Sequence, residues 1–428
     1  MLLVILVVVG LFSSVIQTRL ANQITQSLNE TYDTGIRIGK TSININGSIV
    51  LSDVIARDHY QDTLFYIQKL ATNSKGVRAL ANGEFEFETA KISGFKSKII
   101  HYPDEQSDNL AQFIRKLQSQ KKAVKNATLL KIQNLELQNG EVLWDAQKPT
   151  DSLPKRVHNL EVALRDFYLM GNVLEMEIQN LKLETNLPLT INSLSGHYWS
   201  SDCQIALRDF RLQTPESQFA GHFEMDYPQG GWTDFASQVQ LDLDLDTLTV
   251  SEDVQALFLN EKNPKNTLTG ALRFKGSVND FESTVKQLRW GDTQWSGSFA
   301  AKNILDNDAA SFDAEIASAT IGRSLSTYVL AQNPRLAPQA SWINDLAVWN
   351  IGGRLNYQKQ SLNTQLTGQR ANASFDLLLQ TKGPLKKIEN YKARLSLKNI
   401  DLAKYISEND QSLWSGQLEL QGQGLPPS

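Results

Sequence analysis

The chain has 428 residues, of which 41% are apolar and 21% charged, and its formal net charge is −4. That balance excludes a disordered chain and a polytopic membrane protein. The mild acidity, with no basic stripe carrying interleaved aromatics, argues against a nucleic-acid partner. A single cysteine, Cys203, excludes an internal disulfide and a cysteine metal site.

Leu2 to Ile16 is an apolar run interrupted only by Gly10, Ser13 and Ser14. As a helix it would span about 22 Å of a hydrocarbon core roughly 30 Å thick. It is short for a span but too apolar for a soluble terminus. No Lys or Arg precedes it and no A-x-A site follows. Residues 1–16 are therefore expected to be the outer part of a membrane anchor, carried by Leu3, Ile5, Val8, Leu11 and Phe12. The alternative is a cleavable signal segment. Residues 17–33 continue as a connecting helix, with Leu20, Ile24 and Leu28 on one side and Thr34-Gly35 as the stop.

Residues 34–126 read as an N-terminal β segment with one amphipathic helix. Ile36 and Ile38 alternate, as do Ile43 and Ile45, then Ile49 and Leu51, with Asn46-Gly47 as a hairpin turn. Another strand covers Asp62 to Ile67, and Phe85 and Phe87 follow an Asn82-Gly83 turn. The helix is expected over Asp108 to Lys122, with Ser107 as N-cap and Leu110, Phe113, Ile114 and Leu117 as its stripe. Lys116, Lys121, Lys122 and Lys125 suit the negative end of its dipole.

Residues 127–428 are almost all strand. Val142 and Trp144 follow an Asn139-Gly140 turn. Leu160, Val162 and Leu164 alternate, as do Leu174, Met176 and Ile178. The clearest half-buried strand alternates Val239, Leu241, Leu243 and Leu245 with Gln240, Asp242 and Asp244. Exceptions are a helical turn near Asp253 to Leu259 and a stretch from Ser324 to Asp345 divided by Pro334 and Pro338. The chain stops at Ser428 directly after a strand, so a C-terminal part is expected to be missing.

A six-residue phrase organises these strands. Its copies are Ile132 to Leu137, Leu164 to Leu169, Ile178 to Leu183, Leu207 to Leu212, Leu245 to Val250 and Leu397 to Leu402, apolar at positions one, four and six. In a strand, positions four and six share a face while one and four do not. An offset beside the Asn or Asp at position three would repair this. One form of offset is a β-bulge, since Asn and Asp tolerate left-handed geometry. The other is two short strands joined by a turn.

No constellation for catalysis stands out. His59, His101, His158, His197 and His222 lack the spacing of a zinc helix, and there is no glycine-rich phosphate loop. Asp58-His59 reads as a turn pair rather than a catalytic base. Asp242, Asp244 and Asp246 alternate with leucines, which fits a solvated strand face better than calcium. Trp199, Trp290, Trp295 and Trp414 stand where a rim or ordinary sheet packing would use them.

A half-buried sheet must cover its apolar face with helices, a second sheet or something outside the chain. Helices are too few here. Each Leu or Ile left in water forgoes roughly 1.5–3 kcal/mol. Two sheets packed dry, or lipid tails filling a gutter, remain. A third possibility is a scaffold that templates the strands of another protein along an exposed edge.

The residues also carry a family likeness. The anchor, the Leu20/Ile24/Leu28 helix and the segments Thr34-Gly35-Ile36-Arg37-Ile38-Gly39-Lys40 and Ser48-Ile49-Val50-Leu51-Ser52-Asp53-Val54 resemble the start of AsmA-like TamB proteins. Asp58-His59 and Asp62-Thr63-Leu64-Phe65-Tyr66 resemble the variant common in Bacteroidota. Leu268-Thr269-Gly270-Ala271-Leu272-Arg273-Phe274-Lys275-Gly276 and the phrase from Leu397 to Leu402 fit later parts, so the resemblance covers most of the chain. It implies a mainly β protein, an elongated, curved, taco-like antiparallel β-groove preceded by an N-terminal membrane-anchor helix. It implies a single-pass inner-membrane protein with its bulk in the periplasm, without catalytic residues, metal or cofactor. Its role would be phospholipid transport between inner and outer membranes, assembly of outer-membrane proteins, or both. The partners would be phospholipid and an outer-membrane assembly barrel of the TamA or BamA type, met through the missing C-terminal part. The gutter would be lined by Ile205, Leu207, Leu241, Leu243, Leu272, Phe274, Leu395, Leu397, Leu418 and Leu420.

Overall fold

The computed structural model describes residue 26 and residues 35–43, 48–74, 85–103, 105, 107–113, 129–145, 155–170, 172–187, 189–229, 234–259, 266–306, 308–332, 349–384, 388–401 and 413–424. The expected anchor, with Leu3, Ile5, Val8, Leu11 and Phe12, lies outside these residues, as does the helix over 17–33 apart from Gln26. The Asn46-Gly47 and Asn82-Gly83 turns lie outside them too. No helix among the described residues is long and apolar enough to cross a membrane. The protein is mainly β. It divides into two compact units, residues 1–216 and 217–428.

In the first unit nine strands pair in chain order: β1 (Gly35–Ile43), β2 (Ser48–Arg57), β3 (Thr63–Ser74), β4 (Phe85–Ile100), β5 (Leu129–Asp145), β6 (Arg156–Met170), β7 (Val173–Thr185), β8 (Thr190–Ser200) and β9 (Gln204–Gln213). Every pairing is antiparallel except β4 with β5, which is parallel. This corrects the expectation of an all-antiparallel sheet. Parallel neighbours need a crossover of a dozen or more residues, and the 101–128 connection supplies one. The pairing also spans the division placed at 126/127 in the sequence.

That connection carries helix α1, described over residues 109–113. Its N-cap is Asp108, one residue after the expected Ser107, and Asp108 Oδ1 accepts from the backbone N–H of Ala111 at 2.7 Å. Leu110 and Phe113 pack on Ile36, Ala56, Leu64 and Phe65, where Leu64 is wholly buried. The helix thus covers the apolar side of β1 to β3. The remainder of its expected stripe, Ile114 and Leu117, lies outside the described residues.

The second unit is an antiparallel meander of eleven strands. These are β10 (Gln218–Asp226), β11 (Gln240–Val250), β12 (Leu268–Gly276), β13 (Phe281–Trp290), β14 (Thr293–Lys302), β15 (Ser311–Thr320), β16 (Asn350–Gln358), β17 (Ser361–Arg370), β18 (Ala373–Lys382), β19 (Asn390–Asp401) and β20 (Leu413–Gln423). Each hydrogen-bonds to its neighbours in sequence. Short helices interrupt it: α2 (Phe235–Gln238), α3 (Glu252–Leu259) and α4 (Arg323–Gln332).

The six-residue phrase is a bulge in five of its six copies. On β11, Leu245 faces Leu272 and Leu248 faces Gly270, so Asp246 and Thr247 together oppose Ala271. The extra residue restores the phase, and Leu241, Leu243, Leu245, Leu248 and Val250 all point to one side. The same slip occurs within Leu164–Leu169, Ile178–Leu183, Leu207–Leu212 and Leu397–Leu402. Asp166, Asp209 and Asn399 adopt positive φ of 52°, 50° and 52°, the geometry their short polar side chains tolerate. In the remaining copy, Ile132–Leu137, β5 and β6 keep a constant pairing, and the slip comes directly after it. There the expected Asn139-Gly140 turn proves to be a bulge inside β5, with Asn139 at φ 55°. Asn-Gly served both readings because a tight turn and a bulge each want positive φ.

Bulged strands alternate with strands that place a glycine opposite the kink. Gly221 faces Leu245, and a Cβ there would lie 1.9 Å from the Asp244 carbonyl oxygen at φ 154°. Gly297, at φ 158°, would bring a Cβ to 2.1 Å from the Glu315 carbonyl oxygen. Gly196 and Gly353 occupy the same place on β8 and β16. Each kinked backbone closes onto a residue without a side chain. Gly221→Ala should therefore cost about 2–4 kcal/mol of stability, read as a lower urea midpoint with an unchanged slope. A midpoint equal to that of the native protein would show that the kink tolerates a Cβ.

Candidate functional site

The register fixes which residues share a face in the second unit. Leu243 pairs with Phe274, Phe274 with Ser283, Ser283 with Phe299 and Phe299 with Ala314. Ala314 pairs with Leu355, and the row continues through Thr364, Leu379 and Ala393 to Leu420. A second row runs from Leu245 and Leu272 through Val285, Gly297, Ile316, Gly353, Leu366 and Leu377 to Leu395 and Leu418. Leu241, Leu243, Leu272, Phe274, Leu395, Leu397, Leu418 and Leu420 thus stand on one apolar side of a single sheet. In the first unit Ile205 pairs with Ser200 and Leu207 with Tyr198. They share a side with Leu174, Met176 and Ile178.

The opposite side of the second unit is polar. Asp242 lies 3.8 Å from Arg273 and 3.4 Å from Lys275, and Asp246 lies 3.5 Å from Lys286. These ion pairs occupy the acidic strand weighed for calcium. One oxygen of Asp244, Oδ1, is sealed without a hydrogen-bond partner. A depression of about 390 Å³ on this side is lined by Arg354, Asn356, Asn363, Gln380, Lys392 and Arg394. Exposed charge pairs of this kind add little stability, but they keep this side wet.

None of the ten expected lining residues is buried. Leu418 and Leu420 keep 47% and 50% of their surface, and the other eight are half-buried. A second sheet packed face to face would bring such leucines to full burial. The dry sandwich therefore does not describe these residues.

Sequence reasoning missed the middle of this face, β13 to β18. The phrase recurs there as Val285-Lys286-Gln287-Leu288-Arg289-Trp290 and Ile316-Ala317-Ser318-Ala319-Thr320-Ile321, each with its register slip. Trp290 and Ala319 in place of Leu hid it, although the one-four-six spacing was present. An aromatic ladder was missed as well. Phe274, Phe281, Phe299, Phe312 and Tyr357 stand on five successive strands with ring centroids 4.9, 5.7, 5.9 and 5.4 Å apart. Such pairs contribute about 0.5–1.5 kcal/mol each beyond area burial.

At the other end of the same face, α3 and α4 meet Trp290. Its Nε1 donates to Gln255 Oε1 at 3.1 Å, and the Tyr328 ring stands edge-on at 5.5 Å. Asp292 caps α4 by accepting from the backbone N–H groups of Arg323 and Ser324 at 2.7 and 2.9 Å. Desolvation pushes the Asp292 carboxyl upward, but these bonds outweigh it and hold its pKa below the usual value. Trp295 and Trp414 lie along this same edge, whereas Trp199 points to the polar side of its sheet.

No family model, curated protein or solved structure matches the chain. The geometry itself must carry the functional reading.

The Asp58-His59 pair sits in the β2–β3 connection and anchors α1. Asp58 Oδ1 accepts from the N–H groups of Tyr60 and Asp62 at 3.0 and 2.9 Å. Its Oδ2 accepts from Asn109 Nδ2 at 2.9 Å and from the Tyr102 hydroxyl at 2.7 Å, and that hydroxyl also lies 2.9 Å from Asp62 Oδ2. His59 Nε2 lies 2.6 Å from Glu105 Oε1. Asn109 is fully buried and also accepts from the Ile100 N–H at 2.9 Å. This network ties the helix to the end of β4 and to the turn.

Burial, then hydrogen bonding to Asp58 and Asp62, raises the Tyr102 phenol well above its usual range. The neutral phenol is favoured by folding, so its contribution is complete below pH 10 and is lost as pH rises beyond that. Ultraviolet titration of the native protein and of Tyr102→Phe should superimpose until the fold fails. An extra phenolate in the native protein between pH 10 and 11 would contradict the network. Asn109→Leu should cost about 2–4 kcal/mol, because it leaves the Ile100 N–H without its acceptor and takes one donor from the buried Asp58 carboxylate. Thermal unfolding is the measurement, and an unchanged midpoint would rule this out.

Proposed function

We propose that the apolar side of the sheet is the inner wall of a β-groove that holds lipid acyl chains while headgroups stay in water. In this reading the protein is bridge-like and belongs to the cell envelope. It is tethered by the N-terminal run to the inner membrane, with its bulk in the periplasm, and serves phospholipid transport toward the outer membrane, outer-membrane protein assembly, or both. It is not an enzyme. The likeness to AsmA-like TamB proteins supports the reading, and an outer-membrane assembly barrel is the partner it implies.

The observation that carries the proposal is the largely apolar side that runs across eleven strands, backed by a polar side, with its expected lining residues left partly exposed. Apolar surface of that extent is retained in water only if something covers it. Hydrocarbon suits it because the lining offers area rather than paired polar groups. Movement along such a wall needs no catalytic residue, only continuity and a gradient or external motor.

The full chain purified in mild detergent should carry phospholipid, identified by mass spectrometry. A chain with Leu243→Asp and Leu397→Asp should carry about tenfold less or none, since burying a carboxylate against acyl chains is costly. Its circular dichroism should keep the β signature. Undiminished lipid in a folded variant would place the acyl chains elsewhere.

A further inference from the structure

Several hydroxyl-bearing side chains interrupt the apolar side of the second unit, two of them threonines. Thr364 on β17 and Thr381 on β18 are 7% and 5% exposed, and the hydroxyl oxygen of each is sealed without a hydrogen-bond partner. Valine has nearly the same shape, suits a strand equally well and would leave no orphan. The register makes the two threonines diagonal neighbours. Thr381 faces Leu362 and Tyr391, and Thr364 faces Leu355 and Leu379.

They lie on the two rows that carry the aromatic ladder. The ladder zigzags across β12 to β16 and ends in Tyr357, which faces Leu362. From there Tyr357, Thr364, Thr381 and Tyr391 place one hydroxyl-bearing side chain on each of four successive strands. Aromatic rings hand over to hydroxyls on a single line. The ladder crosses four strand spacings of about 4.8 Å, or roughly 19 Å, a length that suits an extended long acyl chain.

From this line, and resting on the acyl-chain reading above, we infer a binding subsite for the ester linkage of a glycerolipid. The acyl tail lies across Phe274, Phe281, Phe299 and Phe312, and the ester oxygens lie over Thr364 and Thr381. A 120° turn about χ1 carries each hydroxyl to the place its methyl or Cβ hydrogen now holds and presents the O–H to the ligand. An ester carbonyl accepts such bonds and carries no charge. A carboxylate at the same place would require a cation, and the paired positions on these rows are Leu, Ala, Tyr and Gly.

The test compares methyl palmitate with hexadecane, both radiolabelled and delivered from cyclodextrin to the full chain. With Thr364→Val and Thr381→Val together, affinity for methyl palmitate should fall about tenfold, the worth of two modest hydrogen bonds. Hexadecane binding should stay level or tighten, and the ligand-free variant should melt no lower than the native chain. Equal affinity of native and variant chains for the ester overturns the subsite, and hexadecane binding alone then leaves the acyl-chain reading standing. A parallel loss of both ligands assigns the threonines to packing and also overturns the subsite. Failure of the native chain to bind either ligand overturns the acyl-chain reading and the subsite with it.

Discussion

The constraint on which the fold depends is the phase of side chains along a strand. A strand turns its side chains over every residue, so a long strand can keep leucines on one side only while its count stays even. The bulge adds a residue where the sequence would lose phase. On β11 this lets a carboxylate, Asp246, and Thr247 stand side by side without throwing Leu248 and Val250 into water on the wrong side. The glycines opposite the kinks are the other half of the device. A kinked backbone presses on its neighbour, and at Gly221 and Gly297 that neighbour has no Cβ to be pressed.

Phase kept across eleven strands produces two unlike surfaces on one sheet. One side carries cross-strand ion pairs such as Arg394 with Glu419 at 2.8 Å. The other carries leucines and phenylalanines that pack sideways on each other, and among the described residues only α3 and α4 are seen to meet it, at Trp290. Sideways packing gives order without closure, as the proposed acyl-chain groove would require. In the proposed subsite the two sealed threonine hydroxyls would give this surface a direction. A wall of pure hydrocarbon would hold a tail at any position, whereas an orphan donor favours one.

Much of this was legible in local spacing. The one-four-six phrase, the alternating Leu241/Leu243/Leu245 strand and the helix over Glu252–Leu259 follow from residues close in sequence, and the structure places them accordingly. What spacing could not carry was pairing. Alternation looks alike in parallel and antiparallel strands, so the β4–β5 pair went unseen. Asn139-Gly140 misled because a turn and a bulge share their backbone requirement. Asp108 rather than Ser107 caps α1, since both residue types cap and only geometry chooses. The threonines on β17 and β18 were invisible as a site because their meaning lies in the partner they lack.

Strand order carries one more implication. Within each unit the strands pair with their neighbours in sequence, so apart from the β4–β5 crossover the closure of distant loops is scarcely needed, and folding can advance largely one hairpin at a time. A chain built this way resembles a stack of repeats, where each element answers mainly to the one before it. Removal or duplication of two adjacent strands would leave the remaining register intact and restore the same side to the same solvent. Length in such an architecture is an adjustable quantity, set by how far the sheet must reach rather than by how a core must close.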